Sequence, residues 1–292
     1  EPQARKQRVS SVSSNLWQSS AWMAPEIIAV GSEKIEGFLK EAPGLAPFDH
    51  SLRDILLGAE HTLNPESERV MAAAGKLRRQ PSLIYSIFAN ADLPWPTIAL
   101  SDGEEVYLNQ SGYTKYRGVD SREDRKAVFD AYWGKLGEYK NTKGQVLLSE
   151  VEANVFQARM RSYDNVLDWA LSGDNLPEEV YRSLVKVTNE SLPTLHRYFE
   201  LRGRMLGVDD VRYYDIYPDL VQSDKVFSIE RSIDDTIDSA VALGDEYGEL
   251  LKAYAKVDHT HVYPQKGKRS GAYMSGGAYD TDPYMLLNHN DD

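Results

Sequence analysis

The chain has 292 residues, 41% of them hydrophobic and 27% charged, enough for one large domain or two modest ones with a real core. Its 45 acidic residues against 33 basic ones give a formal charge of -12, which repels a phosphate backbone and argues against nucleic acid as a partner. The absence of cysteine excludes disulfides, thiolate metal sites and a cysteine nucleophile.

No apolar run approaches the ~20 residues that span a bilayer, so no membrane partner is expected. Residues 1–20 are polar and Ser-rich, with no signal-peptide core, although a leader on a longer gene product stays open. A cysteine-free chain suits cytoplasm and periplasm equally. A cytoplasmic placement is expected, with a periplasmic or secreted one as the alternative.

Most of the chain reads as helix. Asn64-Pro65-Glu66 has the marks of a helix start: an Asn cap, Pro in the first turn, then an acid at the positive end. Thr97-Ile98-Ala99-Leu100 and Glu105-Val106-Tyr107-Leu108 flank Asp102-Gly103, a strong hairpin signal. Ser121, three before Asp124, resembles a capping box with Asp in place of Glu. Val128, Ala131, Tyr132, Leu136 and Tyr139 follow at helical spacing. Residues 151–171 continue in helical style. Pro177-Glu178-Glu179 opens another helix, Pro193 opens or kinks the next, and Gly207 is a C-terminal stop. Residues 110–255 are therefore expected to be predominantly helical.

The texture changes after Lys256, where glycines and tyrosines gather. Tyr284-Met285-Leu286-Leu287 reads as a strand in need of a partner and a cover. Few candidates precede it, which suggests that the natural domain continues. The expected fold is mainly α: a multi-helix lobe with a short β-hairpin and a small C-terminal β region.

Chemistry is harder to find. Gly267-Lys268-Arg269-Ser270 fails as a phosphate loop, because Val262 stands where the first Gly belongs and Arg269 where Ser or Thr must follow Lys. Gly271, Gly276 and Gly277 open no predicted helix. The six histidines are His50, His61, His196, His259, His261 and His289, and no two are four apart. His259 and His261 would share a strand face with Asp258 nearby, but a polar surface loop is the simpler reading. His196 has Glu200 at i+4 and reads as a structural histidine. Tyr213-Tyr214-Asp215-Ile216-Tyr217 can bind or pack, with packing the default. The acidic positions Asp280, Asp282, Asp291 and Asp292 do not fit an EF-hand. No serine sits in a nucleophile elbow. From residues alone, the chain holds no self-contained active site.

The segment from Gly267 to Asn288, Gly267-Lys268-Arg269-Ser270-Gly271-Ala272-Tyr273-Met274-Ser275-Gly276-Gly277-Ala278-Tyr279-Asp280-Thr281-Asp282-Pro283-Tyr284-Met285-Leu286-Leu287-Asn288, resembles the stretch before the zinc-binding helix of the oligoendopeptidase F family, relatives of thimet oligopeptidase. Ala91-Asp92-Leu93-Pro94, Ala158-Arg159-Met160-Arg161-Ser162-Tyr163 and Tyr214-Asp215-Ile216-Tyr217 also fit that family. The resemblance covers the chain from about residue 20 onward.

The resemblance implies a mostly helical metallopeptidase that cuts short peptides by zinc-assisted water attack. It implies a helical segment over 1–91, the family's N-terminal helical domain over 92–172, and over 173–292 the upstream part of a zincin-type catalytic domain. One catalytic zinc is implied for the complete enzyme. The H-E-x-x-H ligands would lie downstream of this chain, so no catalytic or metal residue is expected within it. The implied partners are short peptides and the remaining catalytic part of the same protein. Gly276, Gly277, Ala278 and Tyr279 resemble the edge strand that aligns substrate, with Tyr284 assigned to the same binding role. Asp282 stands where the family often has His, which puts that contact in doubt. The alternative function is a non-catalytic helical module that only binds peptides or partners.

Overall fold

The computed structural model describes residues 2–221, 226–255, 259–265, 267–276 and 282–289. Thirteen α-helices and five short strands occur among them. The helices are α1 (Pro2–Ser20), α2 (Met23–Val30), α3 (Ser32–Glu41), α4 (Asp49–Leu57), α5 (Pro65–Arg78), α6 (Gln80–Ile87), α7 (Gln110–Tyr116), α8 (Arg122–Glu138), α9 (Lys140–Met160), α10 (Val166–Ser172), α11 (Glu178–Leu206), α12 (Ile229–Ser239) and α13 (Asp245–Ala255). The strands are β1 (Thr97–Ala99), β2 (Glu105–Tyr107), β3 (Thr260–His261), β4 (Tyr273–Ser275) and β5 (Tyr284–Leu286). The mainly helical expectation holds. So does the confinement of β structure, among the described residues, to the hairpin and the C-terminal region. No described helix is long and apolar enough to cross a membrane. The chain divides into two compact units, residues 1–86 with 141–191 and residues 87–140 with 192–292.

The first unit is a helical layer. The Ser-rich start, which the sequence left without an element, is α1 and packs on α5. Asn64 caps α5 by accepting from the Ser67 N–H at 2.9 Å. Glu66 and Glu68 occupy its first turn and Lys76 and Arg78 its last, each favourable to the helix dipole.

Residues 151–171 are not one continuous helix. After α9 the chain turns through Ser162, at φ 58, and Asn165 then caps α10. The Tyr163 N–H donates to the Ala158 carbonyl and the Ser162 N–H to the Arg159 carbonyl, the two bonds of a Schellman end. No glycine announced it. The side chains around the turn hold it instead. The Tyr163 ring stacks on His61 at 3.5 Å, and its hydroxyl donates to Ser172 Oγ at 2.9 Å. His61 Nδ1 donates to the Arg161 carbonyl at 2.8 Å. The Arg161 guanidinium grips both Glu68 oxygens at 2.8 Å.

The second unit is built on the hairpin. Thr97 pairs with Tyr107, Ile98 with Val106 and Ala99 with Glu105. The hairpin is the expected one, but its register is one residue off a two-residue Asp102-Gly103 turn: the Leu100 N–H donates to the Glu104 carbonyl, so the loop is the three residues 101–103. Gly103 adopts φ 90, as the turn requires. Leu100, Val106 and Leu108 bury against Tyr113, Val128 and Tyr132. Gly112 is forced: a Cβ there would stand 2.0 Å from the Tyr107 carbonyl oxygen. Ser121 caps α8 by accepting from the Asp124 N–H at 3.2 Å. Asp124 does not close a capping box. Its shorter side chain turns to the hairpin, where its oxygens accept from the Ser101 N–H at 2.9 Å and the Ser101 hydroxyl at 2.6 Å.

The helix opened by Pro177 does not stop at Pro193. Pro193 sits inside α11. The Asn189 carbonyl loses its acceptor role there, but the turn is exposed and water can replace the bond. Gly207 ends α11 at φ 66, as expected. His196 is exposed on it and makes no hydrogen bond to Glu200, so it is a surface residue rather than a structural one.

Asp215 ties this unit together. It is fully buried. Arg122 donates to it at 3.0 and 2.9 Å, Arg125 at 3.3 Å and the Arg212 N–H at 2.9 Å. Arg125 also donates to the Tyr214, Val119 and Asp120 carbonyls, and Arg202 to the Asp215 and Pro218 carbonyls. The tyrosines beside it mostly pack: Arg117 lies 3.7 Å over the Tyr217 ring, and Tyr213 meets Phe129, Trp133 and Tyr217.

Two predictions follow from these pairs. Burial pushes the Glu68 carboxyl up, but Arg161 and the Leu63 N–H together hold it below its ordinary value of 4.5. Its contribution to stability is therefore full above that value and disappears as pH falls through the lowered one. Glu68→Gln should cost about 1–3 kcal/mol in urea melts at neutral pH, and progressively less in acid. Asp215→Ala leaves the buried Arg125 guanidinium, and the more exposed Arg122, without their carboxylate. It should lose about 3–5 kcal/mol in the same melts, since breaking a buried pair exceeds the cost of an ordinary surface change.

Candidate functional site

The C-terminal β region supplies the partners that Tyr284-Met285-Leu286 needs. The sheet order is β3-β5-β4, with β5 central, parallel to β3 and antiparallel to β4. These partners are hard to recognise in the sequence because β3 and β4 span only two and three residues, below the length at which alternation shows.

The hydrogen bonds fix which backbone groups remain open. The Met285 and Leu287 N–H groups donate to the His259 and His261 carbonyls at 2.9 Å. Tyr284 and Leu286 therefore turn their polar groups towards β4, opposite Ser275 and Tyr273. By the same alternation, Met274 directs its N–H and C=O away from β5. β4 is exposed along its length and is an outer strand of this sheet.

The loop before β4 is latched by two side chains. Lys268 Nζ donates to the His261 and Tyr263 carbonyls at 3.0 and 2.6 Å, and burial lowers its pKa. The lysine that invited a phosphate-loop reading is therefore engaged with main-chain carbonyls. Asn288 Nδ2 donates to the Arg269 and Gly271 carbonyls at 3.0 and 2.7 Å. Gly267 and Gly271 take the positive φ values, 79 and 80, on which this loop turns.

Of the residues expected to bind substrate, Gly276 follows β4 directly, and a Cβ there would meet open space. Tyr284 lies on β5, half exposed, with its ring 4.6 Å from that of His259. Gly277, Ala278 and Tyr279 fall outside the described residues.

Asp282 lies beside this strand, accepting from the Tyr254 hydroxyl at 3.1 Å, with His259 Nδ1 4.0 Å away. That bond to Asp282 raises the pKa of the Tyr254 hydroxyl. His261 does not join the pair; its Nε2 meets Gln265. A protein zinc site needs at least three ligands. Among the described residues no group of three or more His, Asp or Glu side chains is placed to hold a metal, so the described residues do not fit a zinc site.

One feature had no sequence motif. A cleft of about 710 Å³ opens within the second unit, lined by Gln110, Ser111 and Lys115 of α7 and by Ser270, Gly271 and Asn288. The Asn109 cap, accepting from the Gly112 N–H at 2.8 Å, was the local signal that could have placed α7.

Known proteins agree with this architecture. The family model described as Peptidase family M3 matches residues 116–292, and that described as Oligopeptidase F matches residues 26–94. The chain is 36% identical over 274 residues to Oligopeptidase PepF of Bacillus subtilis, covering 93% of this chain and 41% of that protein. It is 32% identical to Group B oligopeptidase PepB of Streptococcus agalactiae, covering 94% and 45%. The crystal structure of oligoendopeptidase-F from Enterococcus faecium superposes with a TM-score of 0.73 at 31% identity, covering 86% of this chain and 48% of that one. The chain thus spans less than half the length of these relatives. The sheet, the helical units and the matched segments together place the chain in peptidase family M3, in its oligoendopeptidase F group.

Proposed function

We propose that this chain is the N-terminal and substrate-channel portion of a zinc-dependent oligoendopeptidase acting on short peptides. In this reading the catalytic zinc is held by polypeptide outside the chain, and the remaining catalytic part of the same protein is its partner. The observation that carries the reading is the open edge of β4. A peptide backbone can bond to the Met274 N–H and C=O as one more strand, and Gly276 lets it approach closely. Gly277, Ala278 and Tyr279 would extend that edge, and Tyr284 would flank it. The names of the relatives, oligopeptidases and oligoendopeptidases, support peptides as the substrate class. The described residues bind and align; no step of bond cleavage is assigned to them.

By the alternation along β4, Gly276 is in phase with Met274, so its N–H points to the open edge. Gly276→Pro removes that donor. Fluorescence anisotropy with a labelled short peptide should show binding about five-fold weaker, the worth of one hydrogen bond, at an unchanged melting temperature. Unaltered binding by a folded Gly276→Pro protein would show that substrate lies elsewhere.

The chain by itself should retain no stoichiometric zinc after dialysis. Metal analysis checks this, and zinc that persists but disappears on changing His259 or His261 would overturn it. A coding sequence without H-E-x-x-H beyond Asp292 would favour the non-catalytic module instead.

A further inference from the structure

The cleft beside α7 lies at one end of the C-terminal sheet. Ser270 and Gly271 lead directly into β4, while Asn288 follows β5. β4 therefore begins at the cleft and runs away from it. A peptide laid antiparallel along the open edge of β4 would run the other way, with its C-terminal end delivered to the cleft.

Among the described residues that line the cleft, Lys115 is the one lysine or arginine. Lys115 is exposed on the last turn of α7, with Nζ 5.0 Å from the centre of the Tyr116 ring. Among the described residues no carboxylate forms an ion pair with it, although the chain carries a formal charge of -12. The nearby Glu104 carboxylate accepts from the Tyr116 hydroxyl at 2.8 Å. His289, which also lines the cleft, bonds to the Phe227 carbonyl. Ser111 and Ser270 line the same space, and neither hydroxyl makes a hydrogen bond among the described residues. A lysine with two serines beside it suits a carboxylate.

We infer that this cleft binds a carboxylate at the C-terminal end of the peptide, with Lys115 as its charge partner. This rests on the reading that peptide lies along β4, and it adds a polarity to that reading: the peptide runs antiparallel to β4. The carboxylate has two possible sources, the peptide's own terminus or an acidic side chain on its last residue.

The test uses the chain and three labelled peptides of one sequence: a C-terminal acid, its amide, and an amide ending in glutamate. Anisotropy titrations at low salt should show the acid binding about five-fold tighter than the plain amide, the upper range for an exposed ion pair. In Lys115→Met the acid should fall to the level of the amide, and amide binding should not change. If the glutamate amide matches the acid, the site reads a side-chain carboxylate; if it matches the plain amide, it reads the main-chain terminus, and either result supports carboxylate recognition.

Equal binding of all three peptides by the unaltered chain would overturn the inference, as would an acid preference that survives Lys115→Met. In both cases, amide binding that weakens in Gly276→Pro would leave the β4 reading standing. Failure of every peptide to bind would overturn both.

Discussion

The Asp215 carboxylate has no contact with solvent, and the organisation of the second unit depends on it. It takes donors from Arg122 and Arg125 of α8 and from the backbone at Arg212. Burying a carboxylate is costly unless its lone pairs are filled and its charge is met. Here burial works against ionisation, but the guanidinium bonds and the Arg212 N–H together hold the carboxyl below its ordinary value. The arginines then extend the arrangement to carbonyls: Arg125 to three of them, and Arg202 to two. Loop carbonyls that no helix or strand could satisfy thereby gain partners. The Tyr213–Asp215 turn is held against α8, and the tyrosines around it pack rather than remain free to bind.

The C-terminal sheet follows a different logic. Its strands are so short that the ladder supplies few bonds, and side chains complete the work. Lys268 closes the turn after β3 and Asn288 closes the turn before β4. The result is a fixed outer strand whose open backbone groups are set by register. In the proposed binding role, a rigid template of this kind would order an incoming peptide without first having to order itself, which lowers the entropic cost of binding.

Legibility in the sequence tracks how local the controlling interaction is. Asn64 and Ser121 were readable as caps because each bond spans three residues. The hairpin was readable because Asp102-Gly103 is a local turn signal, but its register was not, because the loop takes in Ser101 as well. Ser162 was not, since a serine at positive φ is held by His61, about a hundred positions away in sequence. Pro193 suggested a boundary, but an exposed turn tolerates the missing bond. Asp124 was placed correctly at the third helical position and given the wrong partner, because the hairpin that claims it is distant in sequence. Gly276 and Tyr284 are proposed for substrate binding only through family resemblance; no local motif marks them. The Lys115 cleft has no motif at all; it exists because α7 and the end of the sheet meet.

Asn288 carries a consequence of a chemical kind. Its amide nitrogen is the donor that joins the end of β5 to the Arg269 and Gly271 carbonyls. Deamidation would replace that nitrogen with oxygen. A carboxylate would then face two carbonyl oxygens, and attraction would become repulsion at both. The fixed start of β4 is therefore exposed to ageing of the protein: one hydrolysed side-chain amide, with no change in the gene, would release the loop that sets the strand in place.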